Sequence, residues 1–163
     1  MTTVPSVTFK TRVRNDAIEG DNPFEWKDLT SDEIFKGKRV VVFALPGAFT
    51  PTCSTSHLPR YEELFEEFKE QGVDQIICLS VNDAFVMGAW GQNQNAEEIL
   101  MLADGNGDFT SAIGLELDAS GFGMGKRAQR FGMIVEDGTV TYLGVEAPGE
   151  IKVSSAETML ERL

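Results

Sequence analysis

Apolar residues change their period several times along the chain, and each change marks an element. From Val7 to Arg14, the residues Val7, Phe9, Thr11 and Val13 alternate with Thr8, Lys10, Arg12 and Arg14, the period of a half-buried strand. The turn residues Glu19-Gly20-Asp21-Asn22-Pro23 and the short Phe24-Glu25-Trp26-Lys27 segment predict that this strand is one arm of a hairpin. Thr30-Ser31-Asp32-Glu33 then has capping-box spacing for a brief helical turn ended by Gly37. Arg39 to Leu45 is continuously apolar after its first residue, as a central strand covered on both faces is, and Gln75 to Val81 reads as a second buried strand. Between them Leu58, Tyr61, Leu64, Phe65 and Phe68 fall on one helical stripe, with Pro59 predicted to kink the helix and Glu62, Glu63, Glu66, Glu67 and Glu70 mainly on its solvated side.

A helix capped near Asn82 or Asp83 carries Phe85, Val86, Ala89 and Trp90, and Ile99 to Ala103 reads as a third strand. Its exit loop, Asp104 to Asp108, superficially resembles a calcium site but lacks the closing glutamate of an EF-hand loop. Phe131 to Val135 and Val140 to Val145 flank an Asp137-Gly138 turn, the clearest hairpin in the chain, and Ser154 or Ser155 caps a last helix. Strands alternating with helices, opened by a hairpin and closed by a hairpin and a helix, predict an α/β fold. A mixed central sheet has helices on both faces and an N-terminal β-hairpin, in an order that is thioredoxin-like.

Length and charge narrow the function. A chain of 163 residues predicts one domain, 1–163, with no internal repeat or linker. A net charge of -12 disfavours phosphate backbones and anionic lipid, so neither nucleic acid nor a membrane surface is an expected partner. The run Val40 to Leu45 is far too short to span a bilayer, and Met1 to Lys10 has no basic start followed by an apolar stretch. The two cysteines cannot make a disulfide framework, and with one histidine they fit no zinc spacing. A reducing compartment is the simpler context: the cytoplasm, or an organelle after removal of a transit peptide.

The chemistry concentrates between Leu45 and Arg60. Proline preceded by threonine is a helix-start signal, which makes Thr50 the N-cap, Pro51 the first helical residue and Cys53 the third. A thiol in the first turn meets unpaired N–H groups and the positive end of the helix dipole, which favour its anion; the alternative is a small apolar cap residue. Thr50 is expected to accept a helix-start N–H and to donate its proton into the pocket. His57, the sole histidine, lies four residues on along the same helix, which disfavours a Cys-His protease pair, and no Cys-x-x-Cys is present. Attack of a thiolate on a peroxide O–O bond needs only a nucleophile, donors for the departing oxygen and a shielded pocket. Pro46 and Pro51 supply shielding, and the cation is one of Lys126, Arg127 and Arg130, which sequence alone does not rank.

These residues resemble a known family. Pro46-Gly47-Ala48-Phe49-Thr50-Pro51-Thr52-Cys53-Ser54 with His57-Leu58-Pro59 is similar to the active-site segment of type II peroxiredoxins, the class of peroxiredoxin-5. The similarity continues through Cys78 to Val86, Trp90, Leu102 to Asp104, Arg130 to Met133 and Asp137-Gly138, from about Val7 to Leu163. It implies a thioredoxin-like fold, Cys53 as the peroxidatic cysteine, Thr50 as the partner of sulfur and peroxide, Pro46 as the shield and Arg130 as the activating cation. It also implies reduction of hydrogen peroxide and alkyl hydroperoxides by sulfur alone, with no metal, flavin or haem, and a homodimer formed through loops near the site. His57 is placed either at that dimer contact or in a satisfied structural position. The resemblance departs at the resolving step, because Glu146 to Leu163 offers Ser154 and Ser155 but no cysteine. Cys78 is the candidate resolving residue; otherwise an external thiol, glutathione with glutaredoxin or thioredoxin, reduces the sulfenic acid. The competing reading is a catalytically silent thioredoxin-like binding module.

Overall fold

The computed structural model of the chain describes residues 2–21 and 23–163; Met1, and Asn22 of the loop predicted to close the N-terminal hairpin, lie outside them. In chain order come β1 (Thr2–Thr3), β2 (Thr8–Arg14), β3 (Phe24–Thr30), α1 (Ser31–Phe35) and β4 (Arg39–Ala44). A π-helical turn, Cys53–His57, leads into α2 (Leu58–Glu63) and α3 (Phe65–Glu70), followed by β5 (Gln75–Ser80), α4 (Ala84–Asn93) and β6 (Leu100–Ala103). The chain ends with α5 (Asp108–Ala112), β7 (Glu116–Asp118), β8 (Lys126–Ala128), β9 (Phe131–Glu136), β10 (Thr139–Val145) and α6 (Ala156–Arg162).

The main sheet runs β1-β10-β9-β4-β5-β6. β4, β5 and β6 pair in parallel, and β9 pairs antiparallel with β4. Strand alternation splits the apolar residues between two cores. Val41, Phe43, Ile76, Cys78 and Ile134 join Tyr61, Phe68, Trp90 and Met159 from the helices on one face. Val40, Val42, Ile77, Leu79 and Met133 meet Phe9, Leu29, Phe35 and Phe109 on the other. That second face is covered by the β2-β3 hairpin, which forms its own sheet, with α1 and α5.

The helix around Pro59 differs from expectation. Rather than kinking at the proline, the chain widens before it: the Leu58 N–H donates five residues back, to the Cys53 carbonyl. Pro59 then falls in the first turn of α2, where its missing N–H costs little. The break comes instead at Leu64, which separates α2 from α3. The loop that superficially resembled a calcium site spends its first carboxylate locally, since buried Asp104 accepts from the N–H groups of Phe109 and Thr110 and from the Thr110 hydroxyl. It caps α5, a five-residue helix with too little periodicity to register in sequence.

Two glycines measure how tightly the β9 face is packed. A Cβ on Gly132 would lie 2.8 Å from Met159 Sδ and 3.0 Å from Ser154 Cα, whereas one on Gly88 in α4 meets nothing. Gly132→Ala is expected to cost about 1–3 kcal/mol and lower Tm by several degrees, while Gly88→Ala leaves Tm unchanged or raises it. Equal melting temperatures for the two variants would contradict this packing.

Candidate active site

Strands β4 and β5 end side by side, and the loop after β4 is tied to the end of β5. Ser80 Oγ donates to the Leu45 carbonyl and to Asn82 Oδ1, and the same Asn82 oxygen accepts the Ala48 N–H. The loop then turns tightly. Both the N–H and the hydroxyl of Thr50 donate to the Gly47 carbonyl, at 3.4 and 2.7 Å. The turn holds Phe49 at φ 65°, a conformation that costs a non-glycine residue about 1–2 kcal/mol. Pro51 and Thr52 begin the helix, with Ser54 N–H bonded to the Thr50 carbonyl, so Cys53 lies in the first turn as its spacing predicts.

The Thr50 hydroxyl departs from expectation: its proton goes to Gly47, and it neither caps an N–H nor contacts the sulfur. Because the turn is closed through the side chain, the oxygen keeps its lone pairs for a further donor. Cys53 is fully buried, while its neighbours Phe49, Pro51 and Thr52 are exposed.

The structure separates the three cations. Lys126 lies 3.8 Å from Glu116 on the surface, and Arg127 spends its guanidinium on the carbonyls of Met124 and Pro46, strapping the β7-β8 hairpin to the loop. Arg130, just before β9, donates through one terminal nitrogen to Cys53 Sγ at 3.0 Å. Its other terminal nitrogen lies 2.7 Å from His57 Nδ1. A guanidinium has only donors, so Nδ1 must be unprotonated and the His57 proton sits on Nε2, which donates to the Ser154 carbonyl at 2.9 Å. The Tyr61 hydroxyl donates to that same carbonyl. His57 is therefore a satisfied buried group that aims the arginine. Burial, with Arg130 adding to it and the Ser154 bond opposing, lowers its pKa from 6.5 to about 3. Phe43 packs on it at 5.0 Å between ring centroids and stacks on Tyr61.

Cys78 lies mid-strand on β5, on the same core face as Cys53, and both are free thiols. Burial, with Cys53 as a lesser cause, pushes the Cys78 thiol well above its ordinary pKa. Of the two places the sequence reading gave His57, the satisfied structural position is the one it occupies, and its spacing of four brings it to the same helical face as Cys53. The same reading missed the Ser154 carbonyl altogether, because a backbone acceptor 97 residues away leaves no local signal.

A protein family described as Redoxin matches residues 5–160 of the chain. Peroxiredoxin sll1621 of Synechocystis sp. is 52% identical over 167 residues, covering 98% of this chain and 88% of that one. Peroxiredoxin-2B of Arabidopsis thaliana is 49% identical over 128 residues, covering 78% and 79%. Among solved structures, reduced Prx3 from Vibrio vulnificus in complex with h2o2 superposes with a TM-score of 0.88 at 51% identity, covering 99% and 97%. No helix among the described residues is long and apolar enough to cross a membrane.

The neutral His57 gives the site a pH signature. The unfolded chain takes up a proton at this residue below pH 6.5 and the folded chain only below about 3. Its contribution to stability is therefore present above pH 6.5 and is lost on acidification through that window, at up to about 1.4 kcal/mol per pH unit. Denaturant unfolding from pH 7 to 3.5 is expected to show a shallower pH slope for His57→Gln than for the parent. Parallel slopes would mean that His57 is charged in the fold.

Proposed function

Since the chain belongs to the redoxin family and is a type II, peroxiredoxin-5-like peroxiredoxin, a thiol-dependent peroxidase, we propose that Cys53 is its peroxidatic cysteine and Arg130 the residue that activates it. The single observation that carries this reading is the 3.0 Å contact between the Arg130 guanidinium and Cys53 Sγ. A guanidinium beside sulfur donates to it and remains a donor to the oxygen that leaves. The Cys53 thiolate attacks the terminal OH oxygen of a hydroperoxide: a sulfur lone pair becomes the S–O bond, the O–O bond breaks, and its electron pair leaves with an alkoxide or hydroxide that takes a proton. Sulfur is left as a sulfenic acid.

Thr50 keeps a lone pair free for the peroxide O–H while its own proton holds the Gly47 turn, and Pro46 shields the pocket at the end of β4. The substrates on this reading are hydrogen peroxide and alkyl hydroperoxides; the Vibrio relative solved with h2o2 supports the first. Sulfur alone carries the redox step, so no cofactor takes part.

Recycling falls to an external thiol, glutathione with glutaredoxin or thioredoxin. The raised pKa of Cys78 supports this, because a thiol held protonated is a slow attacker. The first thiol displaces water from the sulfenic acid to give a mixed disulfide, and a second restores the Cys53 thiol while leaving as a disulfide. A reducing compartment such as the cytoplasm suits that chemistry and two free cysteines. A homodimer is supported by aromatic side chains left in solvent, among them Phe49 at 52% exposure on the active-site loop and Phe85 at 57% packed edge-on against Trp26.

Cys53→Ser is expected to abolish thiol-dependent peroxide consumption. Arg130→Lys should slow Cys53 oxidation in stopped-flow by on the order of 10²-fold with the fold retained, as a planar fork gives way to a point charge. Survival of activity without Cys53, or unchanged speed without Arg130, would refute the assignment of that residue. One equivalent of peroxide followed by mass spectrometry should give a sulfenate adduct on Cys53; a Cys53–Cys78 disulfide would show internal resolution instead.

A further inference from the structure

The loop between β10 and α6 carries the Ser154 carbonyl, yet it belongs to no helix or strand that could fix that carbonyl in place. The Tyr61, Tyr142 and Thr158 hydroxyls donate to the carbonyls of Ser154, Val153 and Lys152, and the N–H groups of the same three residues converge on one carboxylate oxygen. Glu146 Oε2 accepts the backbone N–H groups of Lys152, Val153 and Ser154 at 2.7, 2.9 and 2.8 Å, and the Ser154 hydroxyl at 2.6 Å. Successive N–H groups converging on an anion form a nest, whose bonds are charge-assisted. The amide of the same residue donates to the Arg130 carbonyl at 2.9 Å. Glu146 thus grips the backbone of Arg130 with its own backbone and grips the anchor of His57 with its side chain.

We propose that Glu146 is a positioning residue for the peroxidase reaction, holding the Arg130 guanidinium on Cys53 through the Lys152–Ser154 loop and His57. The inference rests on the reading of Arg130 and Cys53 given above. It adds that the rate of sulfur oxidation depends on a carboxylate that touches neither sulfur nor peroxide. Glu146 fixes the loop, the loop presents the Ser154 carbonyl to His57 Nε2–H, and the ring so held presents its Nδ1 lone pair to Arg130. If the carbonyl is displaced, the ring is free to turn or change tautomer. A proton on Nδ1 would then face a guanidinium that can only donate, and Arg130 would leave the sulfur.

The test uses the untagged full chain with Glu146→Gln, which keeps the shape but removes the charge. His57 is the only histidine, so its ring resonances identify themselves. Single-turnover oxidation of Cys53 by hydrogen peroxide is expected to slow by about 10- to 100-fold, the factor for weakening bonds to a charged group. Reduction of preformed sulfenic acid by a small thiol should stay within about twofold of the parent, because Arg130 is not needed to expel water. The His57 Nε2–H resonance should shift or vanish, with far-UV circular dichroism unchanged. An oxidation rate equal to the parent's overturns the proposal, and so does a slow rate with an unaltered His57 ring. Should Glu146→Gln fail to fold, Ser154→Ala removes one of the four donors. It is then expected to slow oxidation about threefold and move the same ring resonance, and parental behaviour in both readouts refutes the proposal. Arg130→Lys in the same assay separates the two levels. If it is silent, the reading of the site fails; if it is slow while Glu146→Gln is parental, only the present inference fails.

Discussion

The site depends on a constraint of donors and acceptors. A guanidinium can only donate, so the ring nitrogen that faces Arg130 has to present a lone pair, and the only histidine in the chain must be neutral to do so. Burial against Phe43 disfavours its charged form, and the Ser154 carbonyl selects the tautomer. With those two conditions met, Arg130 lays one terminal nitrogen on the imidazole and the other on sulfur. A surface arginine would lose such a geometry to solvent and side-chain entropy.

The fold supplies the parts from distant stretches of chain. Cys53 and His57 come from the start of a helix, Arg130 from the residue before β9, and Ser154 from the loop before α6. They meet because β9 pairs with β4, whose C-terminal end feeds the active-site loop, and because that loop is tied to β5 through Ser80 and Asn82. Gly132, next to the Arg130-Phe131 step, has no room for a side chain because Ser154 and Met159 pack against it. The close approach of α6 and its leading loop to β9 is therefore part of how the Ser154 carbonyl reaches His57.

Strands with strong periodicity were legible in sequence: Arg39–Ala44, Gln75–Ser80 and the Phe131–Val145 hairpin lie where their apolar runs end, with Asp137 and Gly138 at positive φ in the turn. The cap at Thr30 was equally readable, and those at Asp83 and Ser155 were readable to within one residue, since each is a local bond between a side chain and a nearby N–H. Short elements such as β1, α5 and the β7-β8 hairpin were not, because they are held by what they pack against and carry too few residues for a period to emerge. At the site, the position of Cys53 followed from Thr50-Pro51. The choice of Arg130 over Lys126 and Arg127 did not follow from local pattern; it came from family resemblance, and the structure brings Arg130 to the sulfur while giving the other two different partners. The bond of Thr50 to Gly47 was hidden because a threonine hydroxyl has several local acceptors within reach, and which one it takes depends on the positive φ of Phe49.

The central claim is that a neutral His57, protonated on Nε2 alone, holds Arg130 against the Cys53 sulfur. Neutron diffraction from a deuterated crystal of the reduced protein near pH 7 tests it most directly. The account predicts a deuteron on Nε2 directed at the Ser154 carbonyl, none on Nδ1, and an Arg130 N–D directed at that bare nitrogen. A deuteron on Nδ1, or an Arg130 side chain turned away from the sulfur, would contradict it.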